Sequence, residues 1–337
     1  MDSFKRKGLL SGLAVMMAGL LTGAAAAKEV TIAYQDMMNP WRVAIEDKAL
    51  EKVTGWKINW RKFGGGGDVI RAMASGDVKI GEAGSSPIAA AVSQGLNLEL
   101  FWILEDIGDA EALVVRNGSG ITAPRDLKGK RIGVPFVSTT HFHLLFAFEQ
   151  FGLKGTDAKI VNMRPPEIAA AWERGDLDAT FIWDPVLAKV KQKGKVLITS
   201  GVLSTWGKAT FDGMVVDKKF AKENPDFMVG MVKVLAKYDA MYRDNKAKWT
   251  PSSKEVQAVA KVSGAKPEDV PDGMGLYGFP TMAEQASATW LGGGKDGGAA
   301  RALKFTSEFL KEQGRIQALL PDYGAAVNPE WVQKAMK

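Results

Sequence analysis

Early in the chain stands Ala72-Met-Ala-Ser-Gly-Asp-Val-Lys-Ile-Gly-Glu-Ala-Gly-Ser-Ser-Pro87, which has the order of a helix end, a Gly-Asp turn, a strand and a capped helix start. The same order recurs about a hundred positions later, in Ala171-Trp-Glu-Arg-Gly-Asp-Leu-Asp-Ala-Thr-Phe-Ile-Trp-Asp-Pro185. Solenoids repeat every ~20–50 residues, so a single, loose recurrence does not indicate one. Two copies of one α/β unit instead predict two lobes of similar build with a ligand held between them.

Strand-like runs in both regions lead directly into residues that cap helices. Asn, Ser, Thr and Asp accept hydrogen bonds from free N–H groups in the first turn of a helix, and Pro fits the first helical position. Strands that alternate with helices predict an α/β fold with parallel sheets, in which ligands lie beyond the carboxyl ends of the strands. Free N–H groups at that edge favour an anion. The pairs of run and cap are Val30–Tyr34 with Asn39-Pro40, Lys57–Phe63 with Asp68, Val78–Ile80 with Ser85-Ser86-Pro87, Arg131–Val134 with Ser138-Thr139-Thr140, and Ala179–Trp183 with Asp184-Pro185.

The first 27 residues have the three parts of a secretory signal peptide. Lys5-Arg6-Lys7 is basic, Leu9–Leu21 is apolar, and Ala24–Ala27 offers small residues for cleavage. The alternative is an uncleaved membrane anchor, since Leu9–Ala27 is just long enough to span a bilayer. Because the small residues lie where a signal peptidase cuts, we expect cleavage and a periplasmic protein of residues 28–337. No later segment of the sequence approaches transmembrane length.

Composition excludes several classes of function. The absence of cysteine rules out disulfides and cysteine-ligated metals. The two histidines, His141 and His143, stand two apart on a predicted helix and face different directions, so we expect no metal site. The first 27 residues carry +2 of the net charge of +6, and the remaining charge forms no basic stripe. We therefore expect no nucleic-acid partner and no cofactor, and no nucleophile motif such as Gly-x-Ser-x-Gly indicates an enzyme.

The length of the mature chain favours two domains. We predict that lobe I consists of residues 28–112 and 217–337 and that lobe II consists of residues 117–212. Two similar segments, Ala112-Leu-Val-Val-Arg116 and Gly213-Met-Val-Val-Asp217, connect them, and Val-Val suits a buried strand. We interpret residues 113–116 and 213–216 as a two-stranded hinge, and the helical region after Asp217 as packing back on lobe I.

Two clusters of hydroxyl side chains, one in each lobe, are the candidates for binding an anion. They are Ser85-Ser86 and Ser138-Thr139-Thr140. Each cluster is also an ordinary helix cap, but both follow a strand at the predicted ligand edge. Glu111 and Asp212 precede the two connecting segments, where each is either a partner for a cationic ligand group or a solvated carboxylate.

Aromatic residues near the same edge are candidates for lining the cleft. Trp183 ends a strand there, and the tryptophan N–H donor suits a partly polar wall. Trp206 is a second candidate, with the protein core as the alternative for both. His141 directly follows the hydroxyl cluster, and we expect it to touch the ligand.

Taken together, several motifs resemble the periplasmic substrate-binding proteins of sulfonate ABC importers. The resemblance covers nearly all of residues 28–337 and implies a two-lobed venus-flytrap fold of the periplasmic binding protein type II, which passes its ligand to an ABC permease and its ATPase. It rests on Ala33-Tyr-Gln35, Trp60-Arg-Lys-Phe63, Ala72–Gly81, Gly84-Ser-Ser-Pro87, Glu111-Ala-Leu-Val-Val115, Gly129–Phe136, Ser138-Thr-Thr-His141, Pro165-Pro166, Ala171-Trp172 and Trp206-Gly207.

The resemblance implies taurine, a zwitterion with a sulfonate and an ammonium group, or a related sulfonate. The hydroxyl clusters would then hold the sulfonate through Ser85, Ser86, Thr139 and Thr140. Glu111 and Asp212 would meet the ammonium group, Trp183 or Trp206 would add cation–π attraction, and Gln35 would close the pocket.

Two departures from the family pattern, Asp184 after Trp183 and Met37-Met38 after Gln35, leave the ligand open. The alternatives are an alkanesulfonate or another small anion. A thiamine-pyrimidine-synthase-like enzyme is a remote option, because the cysteine-rich motif of those enzymes is missing. We expect a monomer.

Overall fold

A computed structural model describes residues 28–337. The predicted signal peptide, residues 1–27, lies outside the described residues. The strands are β1 (Glu29–Gln35), β2 (Lys57–Phe63), β3 (Ile80–Gly84), β4 (Leu98–Asp106), β5 (Glu111–Arg116), β6 (Arg131–Val134), β7 (Lys159–Asn162), β8 (Ala179–Trp183), β9 (Gly194–Thr199) and β10 (Phe211–Asp217).

The helices occur between the strands and throughout the region after β10. They are α1 (Trp41–Glu46), α2 (Ala49–Thr54), α3 (Gly66–Ala74), α4 (Ser85–Ser93), α5 (Thr139–Gln150), α6 (Pro165–Arg174), α7 (Val186–Lys191), α8 (Ser200–Thr205), α9 (Lys218–Glu223), α10 (Pro225–Arg243), α11 (Lys254–Ser263), α12 (Val270–Gly275), α13 (Met282–Ala286), α14 (Gly298–Glu312) and α15 (Glu330–Ala335). Among residues 28–337, none of them has the length and apolarity needed to cross a membrane.

The strands form two five-stranded sheets of matching design. The first has the order β2-β1-β3-β10-β4 and the second the order β7-β6-β8-β5-β9. In each sheet the fourth strand runs antiparallel to its neighbours, while the pairs among the first three are parallel. The repeated sequence unit therefore corresponds to equivalent positions in two sheets, since β3 and β8 are both third in order.

The predicted hinge is wrong. The segments 113–116 and 213–216 do not pair with each other: β5 lies between β8 and β9 in the second sheet, and β10 lies between β3 and β4 in the first. The Val-Val pattern is typical of any buried strand, so it could not separate a connecting strand from an interior one. The chain instead passes between the sheets through residues 107–110 and 206–210, and lobe I ends before Glu111.

The helices after β10 pack mainly on the first sheet, as the helical spacing of their apolar residues predicted. Phe227, Met231 and Leu235 of α10 join the same buried cluster as Ile32 of β1 and Trp102 of β4. We call this unit the first lobe and the unit around the second sheet the second lobe.

One helix of the first lobe also contacts the core of the second lobe. Phe309 of α14 is buried and lies in the second lobe's cluster, with its ring centroid 5.1 Å from that of Phe142 and 6.4 Å from that of Phe146. Because these rings meet edge to face, the contact adds aromatic attraction to the burial of apolar surface. The two lobes are thus joined by packing as well as by the two connecting segments.

Strand β4 is the outer strand of its sheet, and a side-chain amide covers its free edge. Gln285 of α13 is fully buried; its Nε2 donates to the Ile103 carbonyl at 2.6 Å and its Oε1 accepts from the Ile103 N–H at 2.9 Å. The backbone of Gly278 pairs with Asp106 in the same way. These contacts satisfy backbone groups that an outer strand would otherwise leave unpaired.

We predict that Gln285→Met lowers the free energy of unfolding by about 2–4 kcal/mol, because it leaves the buried N–H and C=O of Ile103 without partners. Urea unfolding followed by circular dichroism measures this. The control is Gln257→Met on the exposed face of α11, which should change stability by less than about 0.5 kcal/mol. Equal effects of the two variants would contradict the assigned role of Gln285.

Candidate functional site

A small cavity lies between the two lobes, with about 290 Å³ of space that no protein atom fills. Its walls come from the carboxyl ends of β1, β3 and β8 and from the starts of α4 and α5, as the strand-to-cap pattern predicted. The first lobe contributes Gln35, Met37, Gly66, Gly84, Pro87, Asp212 and Tyr277, and the second lobe contributes Glu111, Ser138, Thr139 and Trp183.

The lobes touch across this cavity, so the cleft is closed. A Cβ placed on Gly84 would lie 2.7 Å from Cγ2 of Thr139 in the opposite lobe and 3.1 Å from Oδ1 of Asp212. The Trp183 Nε1–H of the second lobe donates to the Asp36 carbonyl of the first at 3.3 Å. Glycine at position 84 therefore permits the close approach of Thr139 and of the carboxylate beside it.

The hydroxyl candidates differ in their hydrogen-bond partners. Thr139 lines the cavity, and its hydroxyl donates to Glu111. Ser86 is fully buried between the wall residues Gly84 and Pro87, and its Oγ has no hydrogen-bond partner within residues 28–337. In contrast, the Ser85 Oγ accepts from the Phe211 N–H at 3.4 Å, and the Thr140 hydroxyl bonds to Ser138 at 2.7 Å.

Three of the predicted residues, Ser85, Ser86 and Thr140, are therefore not part of the cavity wall. The local backbone and cap use the hydroxyls of Ser85 and Thr140, whereas Ser86 lies directly behind the wall residues Gly84 and Pro87 with its hydroxyl unused within residues 28–337. Ser138, which the sequence indicated only as part of the cap, does line it. The Ser138 Oγ also accepts from the His141 N–H at 3.0 Å and so begins α5.

Glu111, at the start of β5, is held by two hydroxyl groups. Thr139 donates to its Oε1, and Ser200 donates to its Oε2 at 3.1 Å. Burial raises the pKa of the Glu111 carboxyl to about 7, although both hydrogen bonds act in the opposite direction. The second carboxylate, Asp212 on β10, lies opposite Gly84 in the sheet, and burial together with the charges of Glu111 and Glu82 raises its pKa well above the ordinary value.

Behind the cavity, a buried ion pair fixes the shape of one wall. Arg42 and Glu82 are fully buried and joined by two hydrogen bonds of 2.7 and 2.8 Å. Glu82 also accepts from the Gln35 N–H at 3.0 Å, and Arg42 donates to the Gln35 and Met37 carbonyls at 2.9 and 3.0 Å. The pair thereby holds the turn that carries Gln35 and Met37 into the cavity.

Carboxyl groups outnumber cations in this region. Within residues 28–337, Arg42 is the one buried Lys or Arg side chain, and Glu82 already neutralises it. In the same part of the chain, Glu111 and Asp212 face the cavity without an ion-pair partner. An ammonium or guanidinium group entering the cavity would supply the missing charge.

Tyr277 is a wall residue that the sequence did not indicate. It follows α12, and its buried hydroxyl has no hydrogen-bond partner in the described part of the chain. Burial and the neighbouring carboxylates of Glu105 and Asp212 raise its pKa well above the ordinary value, so it stays protonated. Only long-range packing brings Tyr277 to the cavity, and no local motif marks it.

Two predicted residues do not line the cavity. Trp206 is 44% exposed at the end of α8, where the backbone turns at Gly207 and the ring is left on the surface. His141 stacks on Phe136 with ring centroids 4.4 Å apart, and its Nδ1 accepts from the Val137 N–H at 3.3 Å. Both predictions are wrong because sequence proximity to a cap or a connecting segment does not determine the direction of the side chain.

Asp184, whose role the sequence left open, accepts from the Ala188 N–H at 2.8 Å and caps the start of α7. It is buried beside Gly273, outside the cavity wall. Across residues 28–337, no group of three or more His, Asp or Glu side chains is arranged to hold a metal ion.

Comparison with known proteins identifies the family of this chain. Residues 53–246 match the family described as NMT1/THI5 like. The chain is 39% identical to the taurine-binding periplasmic protein of Escherichia coli (strain K12), over 92% of this chain and 94% of that protein. It is 30% identical to the putative aliphatic sulfonates-binding protein of Bacillus subtilis (strain 168), over 69% and 73% of the respective chains.

The solved structure of a sulfonate-binding protein shares this fold. The alkanesulfonate-binding protein SsuA from Xanthomonas axonopodis pv. citri bound to MOPS has a TM-score of 0.74 against this structure, at 23% identity and over 90% of this chain and 99% of that one. The prediction of a two-lobed type II binding-protein fold is therefore confirmed. The chain belongs to the NMT1/THI5-like family, among the periplasmic sulfonate-binding proteins.

The buried Glu111 carboxyl predicts a pH-dependent stability. Its folded-state pKa of about 7 lies above the ordinary 4.5, so between these values the folded protein binds the proton more tightly than the unfolded chain. Glu111 therefore stabilises the folded protein at low pH. Its contribution to the free energy of unfolding declines by up to about 3 kcal/mol as pH rises through this window.

We predict that Glu111→Gln raises the free energy of unfolding relative to wild type at about pH 8 and has little effect at about pH 5. Urea unfolding at both pH values measures this. The control is Glu268→Gln, an exposed carboxylate before α12. A Glu111→Gln effect that does not change with pH would contradict the prediction.

Proposed function

We propose that this protein is a periplasmic solute-binding protein that captures taurine between its lobes and delivers it to an ABC permease and its ATPase. It acts as a monomer, after removal of residues 1–27, and catalyses no reaction. The proposal rests on one arrangement of the cavity. The buried carboxyl groups of Glu111 and Asp212 face it with no cation beside them in residues 28–337. Nearby, at the start of α4, the Ser86 hydroxyl has no partner in the same part of the chain. A zwitterion complements both features.

The ammonium group is assigned to the carboxylate side of the cavity. Asp212 and Glu111 supply negative charge from opposite lobes, and the Tyr277 hydroxyl supplies a further acceptor oxygen. The Trp183 ring lines the same space and adds cation–π attraction. A charged hydrogen bond to a desolvated carboxylate is worth more than a neutral one, so this end distinguishes an aminosulfonate from a plain sulfonate.

The sulfonate group is assigned to the hydroxyl side. The Ser86 hydroxyl lacks a partner, and the N-cap of α4 is Gly84, which has no side chain to satisfy the N–H groups of the first helical turn. Thr139 approaches from the second lobe. A sulfonate oxygen accepts hydrogen bonds from the Ser86 hydroxyl and from the N–H groups at the start of α4, while the Thr139 hydroxyl keeps its hydrogen bond to Glu111. The positive end of the helix dipole favours the charge of the sulfonate.

Closure follows from the division of these contacts between the lobes. Asp212, Ser86 and Tyr277 belong to the first lobe, while Glu111 and Thr139 belong to the second. A ligand bound between them contacts both lobes in the closed state and one lobe in the open state. This difference in affinity shifts the population toward closure.

We predict that Asp212→Asn weakens taurine binding by roughly ten- to a hundredfold, because it removes the charge that meets the ammonium group. It should leave binding of ethanesulfonate, which lacks the amine, unchanged or stronger. Isothermal titration calorimetry with both ligands measures this.

The control is Asp244→Asn, an exposed carboxylate at the end of α10. If wild type binds the two sulfonates equally and Asp212→Asn changes neither affinity, the ligand is a plain alkanesulfonate or another small anion, and the taurine assignment fails.

We further predict that Gly84→Ala weakens taurine binding by roughly ten- to a hundredfold, because the added methyl group would overlap Thr139 and press on Asp212. Ligand-induced compaction in small-angle X-ray scattering should also be reduced. The control is Gly275→Ala at the end of α12, where a Cβ meets no atom within 4 Å. Normal taurine affinity in Gly84→Ala would show that the lobes do not close as described.

A further inference from the structure

We propose that taurine enters the cavity in exchange for a proton held between Asp212 and Glu105, so that Glu105 acts as a positioning residue for the charge of Asp212. This rests on the proposed function and deepens it. Glu105 is not part of the cavity wall and would not touch the ligand. It sets how many negative charges the site carries before the ammonium group arrives.

The two carboxyl groups belong to neighbouring strands of one sheet. Asp212 of β10 is the register partner of Glu105 of β4. Glu105 is fully buried; its Oε1 accepts from Asn39 Nδ2 at 3.4 Å, and its Oε2 has no hydrogen-bond partner within residues 28–337. An ionised carboxylate with an unsatisfied oxygen in the protein interior is unfavourable, whereas a protonated one carries no such charge.

Within residues 28–337, Arg42 is the one cation that acts on the pair. It lowers the pKa of both carboxyl groups, but burial raises them by more, and its guanidinium already makes two hydrogen bonds to Glu82. The remaining neighbours add negative charge or stay neutral. The titratable groups that face Asp212 and Glu105 are Glu82 on β3, Arg42 on α1, Glu111 on β5 and Tyr277 after α12.

Two adjacent carboxylates in a desolvated site cannot both ionise readily. Burial is the largest cause that raises the pKa of Glu105, and the charge of Asp212 is the next; burial also raises the pKa of Asp212. These raised pKa values favour a proton on the pair when no cation is beside it.

An ammonium group beside Asp212 changes this balance. It provides the positive charge that the proton otherwise supplies, so the pair loses the proton to solvent and both carboxylates become ionised. Since Asp212 and Glu105 are register partners in one sheet, their adjacency does not depend on closure of the cleft.

The affinity for taurine should therefore depend on pH. Below the raised pKa of the pair, taurine must displace a proton, so its affinity increases as pH rises. Above that pKa the pair is already ionised, and the affinity no longer changes. A site with two permanently ionised carboxylates would bind taurine with the same affinity across this range.

Calorimetry of wild-type protein with taurine in buffers of different ionisation enthalpy tests the exchange. We expect the observed heat to depend on the buffer at neutral pH, with the release of up to about one proton for each taurine bound. The affinity should decrease about in proportion to proton concentration at lower pH. Heat that is independent of the buffer at every pH, with taurine still binding, would overturn the inference.

Two isosteric variants locate the proton. Glu105→Gln keeps the shape and the contact with Asn39; it should release fewer protons and show a flatter pH profile of affinity. The matched control is Asp239→Asn, since Asp239 is also fully buried but bonds to the Trp102 Nε1–H away from the cavity. It should release as many protons as wild type.

The outcomes separate this inference from the function on which it rests. Proton release by Glu105→Gln equal to that of wild type would overturn the role of Glu105. The absence of any heat with taurine at any pH would instead overturn the proposed function. Should Glu105→Gln fail to fold, Glu111→Gln decides, because it removes the other titratable carboxyl that faces the ammonium group. Proton release that persists in Glu111→Gln comes from the pair, and its loss there would overturn the inference.

Discussion

The buried ion pair between Arg42 and Glu82 is the interaction on which the ligand cavity depends. Its hydrogen bonds fix the turn from Gln35 to Met37, and Glu82 also accepts from the Trp41 Nε1–H at 2.9 Å. Burying two charges is costly, and removing one partner of such a pair would leave the other uncompensated. The pair thus joins β1, α1 and β3 at one point and makes the wall of the cavity rigid before any ligand is bound.

The same pair determines the electrostatics of the cavity. Because Glu82 occupies Arg42, the other carboxylates of the region have no permanent counter-charge within residues 28–337. The desolvated site therefore has more carboxyl groups than cations, and a cationic ligand group would complement it. Asp212 belongs to the first lobe and Glu111 to the second. A cationic group bound between the lobes would therefore attract a carboxylate from each of them.

The sequence predicted those parts of the structure that local chemistry specifies. Strand ends followed by caps located the sheet edge, and Thr139, Asp212 and Glu111 are found there. Tyr277 could not be predicted, because only the packing of the C-terminal helices brings it to the cavity. The supposed hinge failed for a related reason: a Val-Val run indicates burial in a strand but carries no information about which sheet the strand joins.

The ring of Phe309 has a consequence for how the molecule opens. It is attached to the first lobe but is buried in the core of the second. A rotation that withdrew it would expose it and Phe142 to water, at a cost on the order of 1.5–3 kcal/mol for each side chain. The least costly rotation keeps this contact and has its axis close to it. The burial of Phe309 thereby restricts the directions in which the lobes can separate at low cost.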